Sequence, residues 1–162
     1  MTRFDLTGRS ALVTGSGSGI GAAVAHALAA AGAAVLVSDV DADAASAVAE
    51  RICADGGKAE GVALDVRDRA AADDAAAHAA GLTEGVLHIL VNNAGVTAPA
   101  MFADLTDESF QRVLDIHLMG AVHCAQSALK FLPTDGTGRG EQDGDRACQC
   151  VPVRAAGHPH PG

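Results

Sequence analysis

The sequence has no tyrosine, 2% aromatic residues overall, few basic side chains and no long uninterrupted apolar run. Each shortage excludes something. Lys and Arg together number 11 against 20 Asp and Glu, a formal net charge of −9. Binding a nucleic-acid backbone needs clustered Lys and Arg on the phosphates, so no nucleic-acid partner is expected. The most apolar stretch, Ala22 to Val37, is mostly Ala and Gly and is interrupted by His26. It reads as a helix, a turn and a strand rather than a membrane span, and no membrane partner is expected. The N-terminus (MTRFDLTGRSALVTG) has no basic segment followed by an apolar one and a small-residue cleavage site, so no secretory signal is read there. The four cysteines, Cys53, Cys124, Cys148 and Cys150, suggest no disulfide framework. A soluble acidic protein of the cytoplasm is the expectation. The scarcity of aromatics also constrains the core. Apolar residues make up 49% of the chain, much of it Ala, which buries little area per residue. Helices must therefore lie close to their neighbours.

What is present alternates between strand and helix. Ser10 to Thr14, Ala34 to Ser38, Lys58 to Leu64 and His88 to Val91 are short apolar runs that predict buried strands. Between them, Ile20 to Ala31, Asp41 to Ala54 and Arg67 to Ala80 predict helices, the first ended by Gly32 and the second by Gly56-Gly57. A last helix begins with Thr106 as its N-cap. Asp107, Glu108 and Ser109 lie in its first turn, where negative charge suits the helix dipole. Phe110, Val113, Leu114, Leu118 and Val122 recur along it at helical spacing, and it is predicted to run to about Leu132, just before Pro133. Strand–helix alternation predicts an α/β fold, a Rossmann-like doubly wound parallel sheet, here incomplete with about four strands.

The pattern stops after Leu132. From Pro133 onward there is no Leu, Ile, Phe or Met, and four of the five prolines lie there. Such a segment cannot offset its ordering entropy by apolar burial. The expected organisation is a dinucleotide-binding domain over 1–132 and a disordered tail over 133–162, for which a shifted reading frame is one account. Cys148-x-Cys150 and His158-x-His160 in the tail match no structural zinc spacing, and no metal site is expected.

The strongest chemical signal is Thr14-Gly15-Ser16-Gly17-Ser18-Gly19-Ile20-Gly21, between a predicted strand and a predicted helix. A pyrophosphate there would meet free backbone N–H groups and the positive end of the helix dipole, and side chains would block that approach. Gly15 permits the tight turn, Gly19 the close approach and Gly21 the packing of helix on sheet. Ser16, Ser18 and Ile20 complete the turn. Asp39, after the second strand, is placed to accept hydrogen bonds from the adenosine ribose hydroxyls. It would repel a 2′-phosphate, and no Arg or Lys lies in the glycine turn or beside Asp39 to receive one. NAD is expected rather than NADP.

These residues resemble a short-chain dehydrogenase/reductase over about Leu6 to Leu132. Thr14 to Gly21 meets the family's TGxxxGxG pattern, Asn92-Asn93-Ala94-Gly95 its Asn-Asn-Ala-Gly motif, and Asp65-Val66 the Asp-Val pair ending its third strand. The resemblance implies an oxidoreductase transferring hydride between NAD and a small alcohol or carbonyl substrate. It implies that Asp65 and Val66 meet the adenine, and that Asn93, Ala94 and Gly95 line the adenosine and ribose side of the cofactor. Asn92 or Asn93 tying the loop to the sheet is the alternative. The family's catalytic Asn falls at His117, read either as a relay residue holding a water or as a helix-packing histidine. The family's Ser and Tyr-x-x-x-Lys have no counterpart among these 162 residues. The resemblance therefore leaves two readings, an enzyme and a catalytically silent NAD-binding fragment. It also implies burial of the 106–132 helix against a partner subunit, hence a homo-oligomer. Without a fifth strand the edge of strand four is expected to stay unpaired.

Overall fold

The computed structural model describes residues 4–133. The expectations for the tail beyond Pro133, the Cys and His pairs included, lie outside the described residues. Four strands form one parallel sheet: β1 (Ser10–Thr14), β2 (Ala34–Asp39), β3 (Lys58–Ala63) and β4 (Ile89–Val91). Their spatial order is β3-β2-β1-β4. Ala11 lies opposite Val35 on one side and Ile89 on the other, which fixes the central register. The order is that of half a doubly wound sheet. The chain steps outward from β1 to β3, then returns past β1 to place β4 on the far side. As expected, β4 is an edge among the described residues.

The helices divide between the two faces. α1 (Gly19–Ala30) and α2 (Ala42–Ala54) cover one, and α3 (Arg69–Gly81) covers the other. The pleat of the strands directs this division, since alternate side chains point to opposite faces. Ala11, Val13, Val35 and Val37 pack with Ala25, Ala29, Val48 and Ile52 of α1 and α2. Leu12, Leu36 and Leu90 pack with Ala72, Ala75, Ala76, Ala79 and Ala80 of α3. All five buried residues of α3 are alanine. The large side chains thus sit on the sheet, and the helix supplies a smooth wall against them. Full burial of Leu12 or Leu36 contributes roughly 1.5–3 kcal/mol each.

The last helix departs from expectation. It is not one helix to Leu132 but α4 (Asp107–Leu114), a π turn (Asp115–Met119) and α5 (Gly120–Ala128). A short 3₁₀ turn, Phe102–Asp104, precedes it. Thr106 caps α4 as predicted, its hydroxyl accepting from Ser109 N at 3.2 Å. The capped helix start holds the Glu108 carboxyl below its ordinary value, through backbone N–H donation first and the Thr106 hydroxyl second. α5 packs on the α3 side of the sheet, burying Cys124 and Ala128. Asp73 of α3 ties it down, accepting from Ser127 Oγ at 2.5 Å and Lys130 Nζ at 2.8 Å. Those two donors, Lys130 before Ser127, hold the Asp73 carboxyl below its usual range. α4 buries none of its own residues, and Phe110 and Leu118 remain 52% and 57% exposed. The start of α3 also shifts, from Arg67 to Arg69, with Asp68 as its N-cap accepting from Ala70 N and Ala71 N.

Candidate functional site

The carboxyl ends of β1 and β4 meet at the point where the strand order reverses. Chains leave these two strands in opposite directions there, which opens a crevice. The crevice holds a cavity of about 310 Å³, bordered among others by Thr14, Ile20, Val66, Asn93, Ile116 and His117.

The glycine turn forms one wall. Gly15 has φ +61°, and a Cβ on it would stand 2.7 Å from the Cα of Ala94. Only glycine lets the turn after β1 and the loop after β4 touch backbone to backbone. Gly21 is buried in the first turn of α1, where a Cβ would meet Asn93 Nδ2 and the Gly15 carbonyl oxygen at 2.5 Å each. Thr14 is the keystone between the two loops. Its hydroxyl accepts from the amides of Asn93 and Ala94, both at 3.1 Å, and donates to the Val91 carbonyl. The Asn93 amide group donates to the carbonyls of Thr14 and Gly15 at 3.0 and 2.8 Å. These two bonds tie the loop after β4 to the end of β1. Asn92 turns toward α5, donating to Ala121 O at 3.5 Å.

The first turn of α1 stands apart in its chemistry. Ser18 precedes it without a side-chain cap, and no acidic residue lies in its first turn. α2, α3 and α4 are all capped, by Asp41, Asp68 and Thr106. The first N–H groups of α1 therefore keep their positive end toward the crevice with no side chain over them. Gly19 and Ile20 are exposed at this opening.

Asp39, half-buried at the end of β2, accepts from Gly17 N at 2.9 Å through one oxygen and from Asp41 N at 3.2 Å through the other. It both shapes the turn and presents a carboxylate beside it. Ser16 differs from the rest of the predicted turn. It is fully buried, and its hydroxyl donates to Val13 O at 2.6 Å and accepts from Ser38 N at 3.0 Å. Its amide is spent on Ser38 O. Ser16 is a strut between β1 and β2, its hydroxyl and amide both engaged by those strands.

Val66 is buried against Gly120 of α5 and borders the cavity. Asp65 beside it is gripped by Arg67, whose Nε lies 2.9 Å from one carboxylate oxygen and 3.1 Å from the other. That hydrogen bonding holds the Asp65 carboxyl below its usual range against the opposing effect of burial. Gly95 and His117 are brought together across the cavity mouth: Nε2 of His117 is 2.9 Å from Val96 N and 2.8 Å from Val96 O. The described residues contain no group of three or more His, Cys, Asp or Glu able to hold a metal ion.

Two contributors are not singled out by sequence reasoning. Thr14 reads there only as the end of a strand and the start of the glycine pattern. The available signal is a hydroxyl at a strand end facing a glycine turn, because it must find backbone partners when buried. Arg67 reads as a helix start, although its spacing of two from Asp65 suits a turn-closing ion pair.

An α/β sheet with a glycine-lined crevice at its switch point and an uncapped helix pointing into it defines a class of ligand-binding α/β proteins. The short chain dehydrogenase family matches residues 9–140, and the chain belongs to that family of oxidoreductases. It is 42% identical over 99 residues to an uncharacterized oxidoreductase of Methylorubrum extorquens, covering 57% of this chain and 37% of that protein. It is 36% identical over 106 residues to the 3-oxoacyl-[acyl-carrier-protein] reductase MabA of Mycobacterium bovis, covering 57% and 42%. The crystal structure of a hydroxysteroid dehydrogenase from Escherichia coli superposes with a TM-score of 0.73 at 36% identity, covering 79% of this chain and 54% of that one. The chain spans roughly two fifths to a half of these relatives' length. No helix among the described residues is long and apolar enough to cross a membrane.

Proposed function

We propose that this chain binds NAD across the crevice, as the cofactor-holding part of an oxidoreductase acting on a small alcohol or carbonyl compound. The observation that carries the reading is the α1 terminus. Its N–H groups are uncapped while the starts of α2, α3 and α4 are capped, and Gly15 and Gly21 let the turn close on the neighbouring loop, where a Cβ would collide with Ala94 or Asn93. A pyrophosphate satisfies such a terminus without a side chain. Gly15, Gly19, Gly21, Ser18 and Ile20 form the cradle, and Asp39 receives the ribose hydroxyls at its edge. Asp65, Val66, Ala94 and Gly95 face the adenosine side, and Asn93 keeps that wall in place through β1. When bound, the cofactor supplies a hydride acceptor or donor. The chain's own residues bind and orient it.

NAD is preferred to NADP because Asp39 places a carboxylate where a 2′-phosphate would lie. Its two oxygens already accept backbone N–H groups, so the charge is fixed in position. The 162 residues contain no tyrosine to move the substrate proton. That favours, for these residues alone, binding without turnover. In this reading His117 acts on the loop rather than on a substrate, the exposed face of α4 and α5 meets a second copy of the chain, and the cytoplasm is the compartment.

Calorimetric titration of the purified chain with NAD and NADP tests the reading. Tighter binding of NAD, weakened roughly tenfold or more in Asp39→Ala, is expected, since hydrogen bonds to a charged group contribute about 1.5–3 kcal/mol. Equal binding of both nucleotides, or an Asp39→Ala variant that binds NAD unchanged, would overturn the preference. A folded chain that binds neither would overturn the whole proposal.

A further inference from the structure

Past Asn92, the loop after β4 meets the last helix at a ring nitrogen of His117. His117 Nε2 lies within hydrogen-bond distance of both the amide nitrogen and the carbonyl oxygen of Val96. A single ring nitrogen of a neutral imidazole is either a donor or an acceptor. With the proton on Nδ1, Nε2 accepts the Val96 N–H. With the proton on Nε2, it donates to the Val96 carbonyl. The two bonds cannot coexist. The ring is also packed tightly over the backbone: a Cβ at Gly95 would stand 2.5 Å from Cε1, 2.9 Å from Nε2 and 3.1 Å from Nδ1. The ring therefore cannot swing away from Val96 toward Gly95 to improve one bond at the expense of the other. His117 sits in the π turn, where the regular helical ladder is interrupted.

We propose that His117 is a positioning residue that clamps the loop through two alternating single bonds, selected by its tautomer. A side-chain amide at this position would close both bonds at once, because it carries a donor and an acceptor on separate atoms. Glutamine brings that pair to about the reach of Nε2; asparagine brings it one bond nearer the backbone. The clamp matters to the crevice because the same loop carries Asn93 and Ala94, which border the cavity. The clamp itself is a property of the folded chain. It does not depend on the nucleotide reading, and its test uses no nucleotide.

The test is amide hydrogen exchange at Val96 in the full 162-residue chain, together with long-range proton–nitrogen NMR correlation of the His117 ring. At a pH where the ring is neutral, both ring nitrogens should show averaged shifts that report two populated tautomers. Val96 exchange should speed up in His117→Ala. It should slow roughly two- to tenfold relative to the native chain in His117→Gln, the gain expected from turning a part-time hydrogen bond into a permanent one. Amides of Leu12 and Val37, buried in the sheet, should exchange alike in all variants and so report an intact fold. A single populated tautomer in the native chain would overturn the proposal. So would Val96 exchange in His117→Ala that matches the native chain, or exchange in both His117→Gln and His117→Asn that is no slower than native.

Discussion

Replacing Gly21 by alanine sets two effects of opposite sign against each other at one site. Gly21 lies inside α1 with an ordinary helical backbone, so intrinsic propensity alone would make alanine about 1 kcal/mol more stable. The surroundings oppose this. The new methyl would press on Asn93 Nδ2, the Gly15 carbonyl and the Cα of Ser16 at 2.5, 2.5 and 2.8 Å. Overpacking of this kind costs roughly 1–3 kcal/mol. Pushing Asn93 aside also weakens its two bonds to Thr14 O and Gly15 O, each contributing about 0.5–1.5 kcal/mol. The losses sum to about 2–6 kcal/mol against a gain of about 1, so net destabilisation of about 1–5 kcal/mol is expected. Gly81 provides the control. It closes α3, and a methyl added there would have no neighbour within 4 Å, so Gly81→Ala should be neutral or stabilise by up to about 1 kcal/mol. Urea unfolding followed by circular dichroism measures both, through the midpoint at constant slope. A Gly21→Ala chain as stable as the native one would refute the packing argument, since it would mean that Asn93 and the turn yield without cost.

Three further outcomes follow from the geometry. Ser16→Ala removes the hydroxyl that bridges Val13 and Ser38 inside the sheet and should cost roughly 1–3 kcal/mol in the same urea assay; a change near zero would mean the bridge is dispensable. Burial pushes the Cys124 thiol up to about 11, so near pH 8 only about 0.1% of it is thiolate. Mass spectrometry after brief alkylation should find Cys124 unmodified in the native chain and modified in urea, whereas labelling of Cys124 at the rate of exposed Cys53 would contradict its burial. Asp65 and Asp73 both have carboxyls held below their ordinary values in the folded chain. Their contribution is present above the ordinary carboxylate pKa near 4 and disappears as pH falls through the lower folded values. Melting temperature should thus fall with acid more steeply in the native chain than in an Asp73→Asn variant; parallel curves would show that the tie to Ser127 and Lys130 adds nothing.

The fold was legible because two periods coexist in the sequence. Runs such as AVLVS give strands, and Gly-Gly or Asp-led segments mark where helices stop and start; the strand and helix limits seen in the structure lie within two residues of those readings over most of the sheet. The last helix was not legible in the same way. Apolar spacing from Phe110 to Val122 fits one continuous helix, and nothing in DIHLM announces a π turn, which in the fold coincides with the approach of His117 to Val96 and of Gly120 to Val66. Of the candidate site, the sequence shows where glycines and motif residues lie but not what each side chain contacts. Glycines report where side chains are forbidden. A serine in the same motif does not report whether it faces a ligand or, like Ser16, the sheet. Asn93 and Thr14 acquire their roles from each other across nearly 80 residues of chain, a separation the hydrogen bonds reveal and local pattern cannot.

The wall that α3 presents to the sheet has a consequence for how this protein can change. Five inward positions filled by alanine leave mutation little room in either direction. Every apolar replacement is larger and must wedge the helix outward, and the one smaller residue, glycine, unravels the helix that carries it. Adjustment of this layer must therefore come from the strands, where Leu12, Leu36 and Leu90 can exchange volume among themselves. The history of substitutions in such a layer should be uneven: strands that drift in compensating pairs, facing a helix that stays nearly still.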